Sequence, residues 1–270
     1  MNQKRLLYED QDIIVWHKPV GIATQTSRAG QADMVSETVN YLVHMRRDSL
    51  SKEGGGTGWR KEKEQKIPYV GVIHRLDQPV EGILVFAKNK SAAAALSRQI
   101  TEEQTKKYYY AIVCGRNYKN EGTLEHYLQK DGRTNTSSVV PPEVKGAKRA
   151  VLHYEILVEK AGMERFEEEN CKDSEALAAY KIALARVRLY TGRHHQIRVQ
   201  MSSAGMSLLG DYKYADPETV RISERMQIKD VALCAYRLSF LHPNTGERME
   251  FQIRPENRSF WRIDEFASQL

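Results

Sequence analysis

His74, Arg75 and Asp77 stand together in HRLDQPVEG, just ahead of the apolar run ILVFA at 83–87. An aspartate at the mouth of a buried strand has two uses. It can satisfy loop amides, or it can be held ionised and aimed at a substrate. A carboxylate at an apolar edge tends to protonate unless a cation pairs with it. Arginine suits that task through its charge and its forked donors. Two arginines stand in TGRHHQIRVQM, Arg193 and Arg198. Their spacing puts them on different sides of a helix, so one can turn inward while the other stays in water. Two solvated arginines are the plain alternative. His194 and His195 raise the question of a metal. Adjacent histidines on a helix diverge, and no third ligand keeps a recognised spacing, so no metal is expected. In KKYYYAIVCG, Tyr108 and Tyr110 face one side of a strand and Tyr109 the other. Core packing accounts for such a run, and so does a stacking platform for a nucleobase. The strand alone leaves both open.

These groups need a frame. The chain has 270 residues, enough for one large domain with a substantial core. It is 41% hydrophobic and 28% charged, a globular composition, and no apolar run reaches the length of a spanning helix. MNQKRLLYEDQD lacks the apolar centre of a signal peptide. Cys114, Cys171 and Cys234 are widely spaced, as reduced thiols of a cytoplasmic protein would be. The net charge of +6 suits a protein that meets a polyanion over a limited surface, and suits an ordinary enzyme equally. Lysine and arginine are spread along the chain rather than gathered in an arm.

DIIVW at 12–16 reads as a strand and HKPVGIATQ as a turn. Residues 33–46 have helical periodicity. Residues 48–66 are polar and glycine-rich and read as a mobile loop; GGGTG there lacks the lysine of a phosphate cradle. YVGVI and GILVFA flank the Asp77 motif as strands, and a helix capped by Ser91 follows through Thr101. Strands are expected at 107–115, 149–159 and 181–191, with a surface excursion at 160–178. GRHHQIRVQMSSAG gives a helix ending at Gly205, and the last strands form a hairpin around NTG. Strands outnumber helices and come in runs. The expected class is α+β, a mainly antiparallel mixed β-sheet flanked by helices, in one domain over residues 1–270.

HRLD with GILVFAKN, then KKYYYAIVCG, then TGRHHQIRV with GDYKYA, then RLSFLHP, follow one another in an order that resembles the RluA family of pseudouridine synthases. YEDQDIIVWHKPVG is similar to that family's opening strand and Lys-Pro-x-Gly turn. The resemblance implies a pseudouridine synthase-like catalytic domain that isomerises uridine in RNA, ribosomal or transfer, without a cofactor. By position, Asp77 matches the catalytic aspartate, Tyr109 the active-site tyrosine, and Arg198 the arginine expected to pair with the aspartate. His74 and Arg75 would shape the loop and meet RNA. Arg193 and His195 would bind substrate, and Leu233 would line the base pocket. The target nucleoside must leave its stack to be reached, which costs a few kcal/mol. The expected partner is RNA, met by a monomer with no membrane contact.

The chain departs from the family pattern in places. Val80 and Glu81 stand where Thr-Ser is usual, and Glu81 is expected to face outward or contact a basic group. His194 replaces a small hydroxyl residue, and Gln200 a histidine. Few residues precede the first strand, so an N-terminal S4-type domain is not expected. Two other functions stay in view. One is an RNA-binding or RNA-folding protein that kept the fold and altered the catalysis. The other is a glycosidase-like hydrolase, which would need a second cooperating carboxylate.

Overall fold

The structure, a computed structural model, describes residues 3–28, 30–52, 67–161 and 179–270. Most of the loop expected at 48–66 and of the excursion expected at 160–178 lies outside the described residues. The chain divides into two compact units. The first comprises Met1–Gln78, Ile83–Thr105 and Ser239–Phe251. The second comprises Pro79–Gly82, Lys106–Leu238 and Gln252–Leu270.

In the first unit, β1 (Leu6–Glu9) pairs antiparallel with β2 (Ile13–Lys18). All six β2 residues are buried, as the run IIVW demands of a strand covered on both faces. Helix α1 (Met34–Lys52) starts where the Asp33 carboxylate accepts the Ser36 amide at 2.7 Å. It runs past the expected end at residue 46, because no helix breaker occurs before Gly54. Of YVGVI only β3 (Gly71–Val72) is a strand, antiparallel to β4 (Glu81–Ala87). Helix α2 (Lys90–Thr101) is capped by Asn89, not Ser91. Asn89 is extended and accepts the Ala92 amide at 2.8 Å, while the Ser91 hydroxyl donates to the same oxygen. The core gathers Trp16, Met34, Leu84, Phe86, Leu96 and Phe240.

The second unit is built on β5 (Lys106–Gly115), β6 (Glu121–Asp131), β7 (Thr136–Val140), β8 (Lys148–Ala161) and β9 (Lys181–Leu189). They lie in the order β5-β9-β8-β6-β7, each antiparallel to its neighbour. Helix α3 (Gln196–Ser203) follows, then β10 (Ser207–Leu208), antiparallel to β5, and helix α4 (Pro217–Arg225), capped by Asp216. Strand β11 (Leu233–Leu241) carries residues of both units, and β12 (Arg248–Gln252) pairs with it as the expected hairpin. β6 and α4 have no counterpart in the sequence reading. EGTLEHYLQKD shows little apolar alternation, and its eight-residue register with β8 is what makes it a strand. The core of this unit joins Tyr110, Ile112, Cys114, Leu184, Tyr236 and Phe260.

The start of β4 is the parallel exception, with Glu81 opposite Cys234 and Gly82 opposite Ala235. Gly82 has φ +147, and a Cβ there would lie 2.4 Å from the Ala235 Cβ, so only glycine allows the approach. The expected outward orientation of Glu81 is corrected. Glu81 is 1% exposed, and its two oxygens accept the amides of Glu256 at 2.7 Å and Asn257 at 2.8 Å. A carboxylate is affordable there because it meets two donors that would otherwise be buried without acceptors. Replacing Glu81 with alanine is expected to lower the unfolding free energy by about 3 kcal/mol. Urea denaturation measures it, and an unchanged midpoint would refute this role.

Candidate active site

Asp77 sits half-buried in a loop of the first unit that is gripped on both sides. On one side Leu76 is tied to Thr24: its amide donates to the threonine oxygen at 3.0 Å, and the hydroxyl returns a bond to its carbonyl at 2.9 Å. On the other, the Gln78 carbonyl accepts from the Gly21 amide at 3.0 Å, and the Gln78 side chain donates to the Gly21 carbonyl at 3.0 Å. Lys18 completes the grip. It is 0% exposed, and its ammonium donates to the carbonyls of Pro19 (2.9 Å), Ile22 (2.6 Å) and Gln78 (3.2 Å). Three donors meet three acceptors, which is how a buried ammonium escapes its desolvation cost. The turn HKPVG and the motif HRLDQ, some 55 positions apart, are thus one local structure. Substituting methionine for Lys18 keeps the stem, removes the ammonium from the Pro19 and Ile22 carbonyls, and leaves the Gln78 carbonyl with the Gly21 amide. A loss of about 2–4 kcal/mol is expected by thermal or urea unfolding, and a neutral result would deny the grip.

His74 is also an anchor. Its Nε2 accepts the Val85 amide at 3.2 Å, joining the loop to β4. Arg75, by contrast, is exposed.

In the second unit, Tyr109 and Tyr110 part as the strand period requires. Tyr110 stacks on Tyr236 with centroids 3.7 Å apart, in the core. Tyr109 lies outside that cluster, opposite Val187 in β9, and is 7% exposed. Leu233 is buried at the start of β11. The two arginines divide, but not by helical spacing, because Arg193 precedes the helix. Arg193 is exposed, and its Nε donates to the Arg149 carbonyl at 2.8 Å. Arg198 is buried on α3.

The structure gives Arg198 a carboxylate partner that the motifs did not single out. Its Nε donates to Asp211 Oδ2 and its Nη2 to Asp211 Oδ1, both at 2.7 Å. These bonds use two of the five N–H donors of a guanidinium. The guanidinium also stands 5.0 Å from the Tyr214 ring centroid. The Tyr214 oxygen accepts the Ser137 amide at 2.9 Å and lies 2.5 Å from His195 Nδ1. His195 is 9% exposed and adopts φ +54. Burial, with the positive charges of Arg198 and Lys213, pushes its pKa down to about 3. His194 stacks on His195 at 3.7 Å and lies 2.9 Å from the Ser137 hydroxyl. Gln200 donates to the carbonyls of Leu124 and Ala150 at 3.1 Å.

Asp211 and Tyr214 were within sight in GDYKYA, but nothing in spacing says that a carboxylate thirteen positions on will close a two-point pair with Arg198. In the first unit Asp10, Asp12 and His242 bring ligand-type atoms together. The Asp10 oxygens already accept from Tyr8, Asp12, Ile13 and His242 at 2.8–2.9 Å, a filled set that explains the cluster without an ion. Cys114 and Cys234 are free and buried, and burial pushes both thiols up, Cys114 to about 12.

A family model described as RNA pseudouridylate synthase matches residues 12–203, a span that holds Asp77, Tyr109 and Arg198. The chain belongs to the RNA pseudouridylate synthase family. It is therefore an RNA pseudouridine synthase, an isomerase that acts on uridine in RNA. Among curated relatives, an uncharacterized RNA pseudouridine synthase of Aquifex aeolicus is 32% identical over 92% of this chain and 68% of its own length. A ribosomal large subunit pseudouridine synthase D of Zymomonas mobilis is 29% identical over 91% and 67%. The fold agrees. Human RNA Pseudouridylate Synthase Domain Containing 4 superposes with a TM-score of 0.67 over 98% of this chain and 93% of that one, at 18% identity. Human RNA Pseudouridylate Synthase Domain Containing 1 gives 0.61. The mainly antiparallel, mixed sheet of this pseudouridine synthase is the class expected from its strand runs. Among the described residues no helix is long and apolar enough to cross a membrane.

Proposed function

We propose that this synthase converts particular uridines of ribosomal RNA to pseudouridine, with Asp77 as the catalytic carboxylate. The seat of Asp77 carries the proposal. A loop residue gripped at both neighbours and backed by a buried lysine is held for a task, since loop amides need no such frame. In the reaction the N1–C1′ bond breaks, the uracil turns, C5 bonds to C1′, the C5 proton leaves to solvent, and N1 takes up a proton. Asp77 either forms a covalent adduct or takes the ribose 2′ proton. Arg198 supplies the guanidinium that favours the ionised carboxylate, and Tyr109 the ring that meets the extruded base. Leu233 gives that base an apolar neighbour. Arg75 and Arg193, both exposed, contact phosphates, with His74 and His195 supporting the backbone beside them. The names of the relatives that act on the ribosomal large subunit support ribosomal RNA over transfer RNA. No electrons pass to an acceptor, so the reaction calls for no redox cofactor. The reading takes residues 1–270 as one catalytic domain, acting as a monomer in the cytoplasm.

Tritium release from C5-labelled uridine in ribosomal RNA, by protein dialysed against chelator, tests the reaction. Site-resolved pseudouridine mapping with and without the gene identifies the target. No release, and an unchanged map, would refute the proposal. The reading as a protein with altered catalysis rests on Val80 and Glu81 together. Glu81 has a scaffold task in holding Glu256 and Asn257, which removes its share of the motive.

A further inference from the structure

The setting of Arg198 is more elaborate than a cation needs. Its side chain is 6% exposed and that of Asp211 is 1% exposed. A buried ion pair adds little net stability over an apolar pair of the same volume, because both partners lose their water. What it adds is geometry: two parallel N–H···O bonds fix the plane and direction of a guanidinium, which one bond cannot do. Asp211 is itself fixed. The Lys213 amide donates to its Oδ1 at 3.1 Å. Gly210, just before it, has φ +73, and a Cβ there would lie 2.1 Å from the Asp230 carbonyl oxygen. The Gly210 amide donates to the Ser223 hydroxyl at 3.0 Å. Backbone and side chain together leave the Asp211 carboxylate one place to be. Tyr214, held by Ser137 and His195, presents its ring to the same guanidinium.

We propose that Asp211 is a positioning residue for catalysis, holding the Arg198 guanidinium in a single orientation through a two-point ion pair against the Tyr214 ring. This rests on the role of Arg198 proposed above. Asp211 touches neither base nor ribose; it acts through Arg198.

The experiment measures kcat and KM for tritium release in Asp211→Asn, Asp211→Glu, Arg198→Lys and the Asp211→Asn/Arg198→Lys double variant. In Asp211→Asn one acceptor oxygen becomes a donor, and the guanidinium loses its second anchor. A misplacement of about 1 Å costs about 100-fold in kcat, and that loss is expected with KM little changed. Asp211→Glu keeps the charge and should recover part of it. The double variant should lose no more than Arg198→Lys alone, because both changes remove one arrangement. Multiplying losses, or an unchanged kcat in folded Asp211→Asn, would overturn the inference. If Asp211→Asn does not fold, Asp211→Glu decides, and wild-type kcat in that variant overturns it as well. An inert wild type would remove the proposed reaction and this inference with it; full release by Asp77→Asn would leave the reaction but take Asp77, and the role of Arg198 on which this inference rests, out of the mechanism. An active wild type, an inert Asp77→Asn and an unchanged Asp211→Asn would remove this inference alone.

Discussion

Asparagine at position 77 is expected to abolish tritium release while leaving the fold in place. The two side chains are nearly the same size, and the bonds described above at Leu76, Gln78, Thr24 and Lys18 are untouched by the change. An amide is neither a nucleophile toward a sugar nor a base at neutral pH. Whichever role Asp77 plays, the step it carries is lost. The rate should fall by about 10⁴-fold, and the thermal midpoint should move by much less than in Lys18→Met. The contrast between the two variants is the diagnostic part. Lys18→Met should lose stability and, through the loop, some activity. Asp77→Asn should lose activity alone. Release at the wild-type rate in Asp77→Asn would take the carboxylate out of the mechanism. Equal losses of stability in the two variants would make Asp77 a loop ligand, the plain use that the sequence left open.

Much of this was legible in the sequence, for reasons that differ by element. β2, β5, β8 and β9 could be read because each carries apolar or β-branched residues in a run long enough to be nothing else. Helical spacing predicts that Arg193 and Arg198 part, and they do, but for another reason: Arg193 precedes α3 and only Arg198 lies on it. What stayed hidden was whatever depends on a partner far along the chain. β6 is a strand through its register with β8. Glu81 looked like a second anion beside Asp77 because sequence gives nearness and not direction; it accepts two amides some 175 positions away. Lys18 looked like part of a turn, and only the fold reveals that it also holds the Gln78 carbonyl. The cap of α2 was misplaced by two residues because Asn89 and Ser91 are both good caps, and the extended backbone at Asn89 decides between them.

His195 makes the second large effect, one of pH. Its neighbours are Arg198, Lys213 and Lys130, which disfavour a proton, and Asp211, which favours one; burial adds to the first group and wins. An exposed histidine in the unfolded chain titrates near 6.5. The folded protein holds His195 neutral down to about 3. Between these values the unfolded state binds a proton that the folded state refuses, so stability is full above about pH 6.5 and drains as pH falls. At most about 1.4 kcal/mol per pH unit is available, which gives about 2 kcal/mol between pH 6.5 and 4.5. Carboxylates begin to protonate at the low end of that window in wild type and variant alike, so the difference between the two proteins is the readout. Asparagine tolerates the left-handed backbone that His195 adopts and does not titrate, so His195→Asn isolates the effect. Urea midpoints across pH 7.5–4.5 should slope downward less steeply in His195→Asn than in the wild type, whatever their absolute values. The imidazole signals of His195 should show no titration between pH 8 and 5. Parallel slopes, or a midpoint near 6.5 in those signals, would place the charge of Arg198 and the burial of α3 differently from the arrangement that seats the arginine on Asp211.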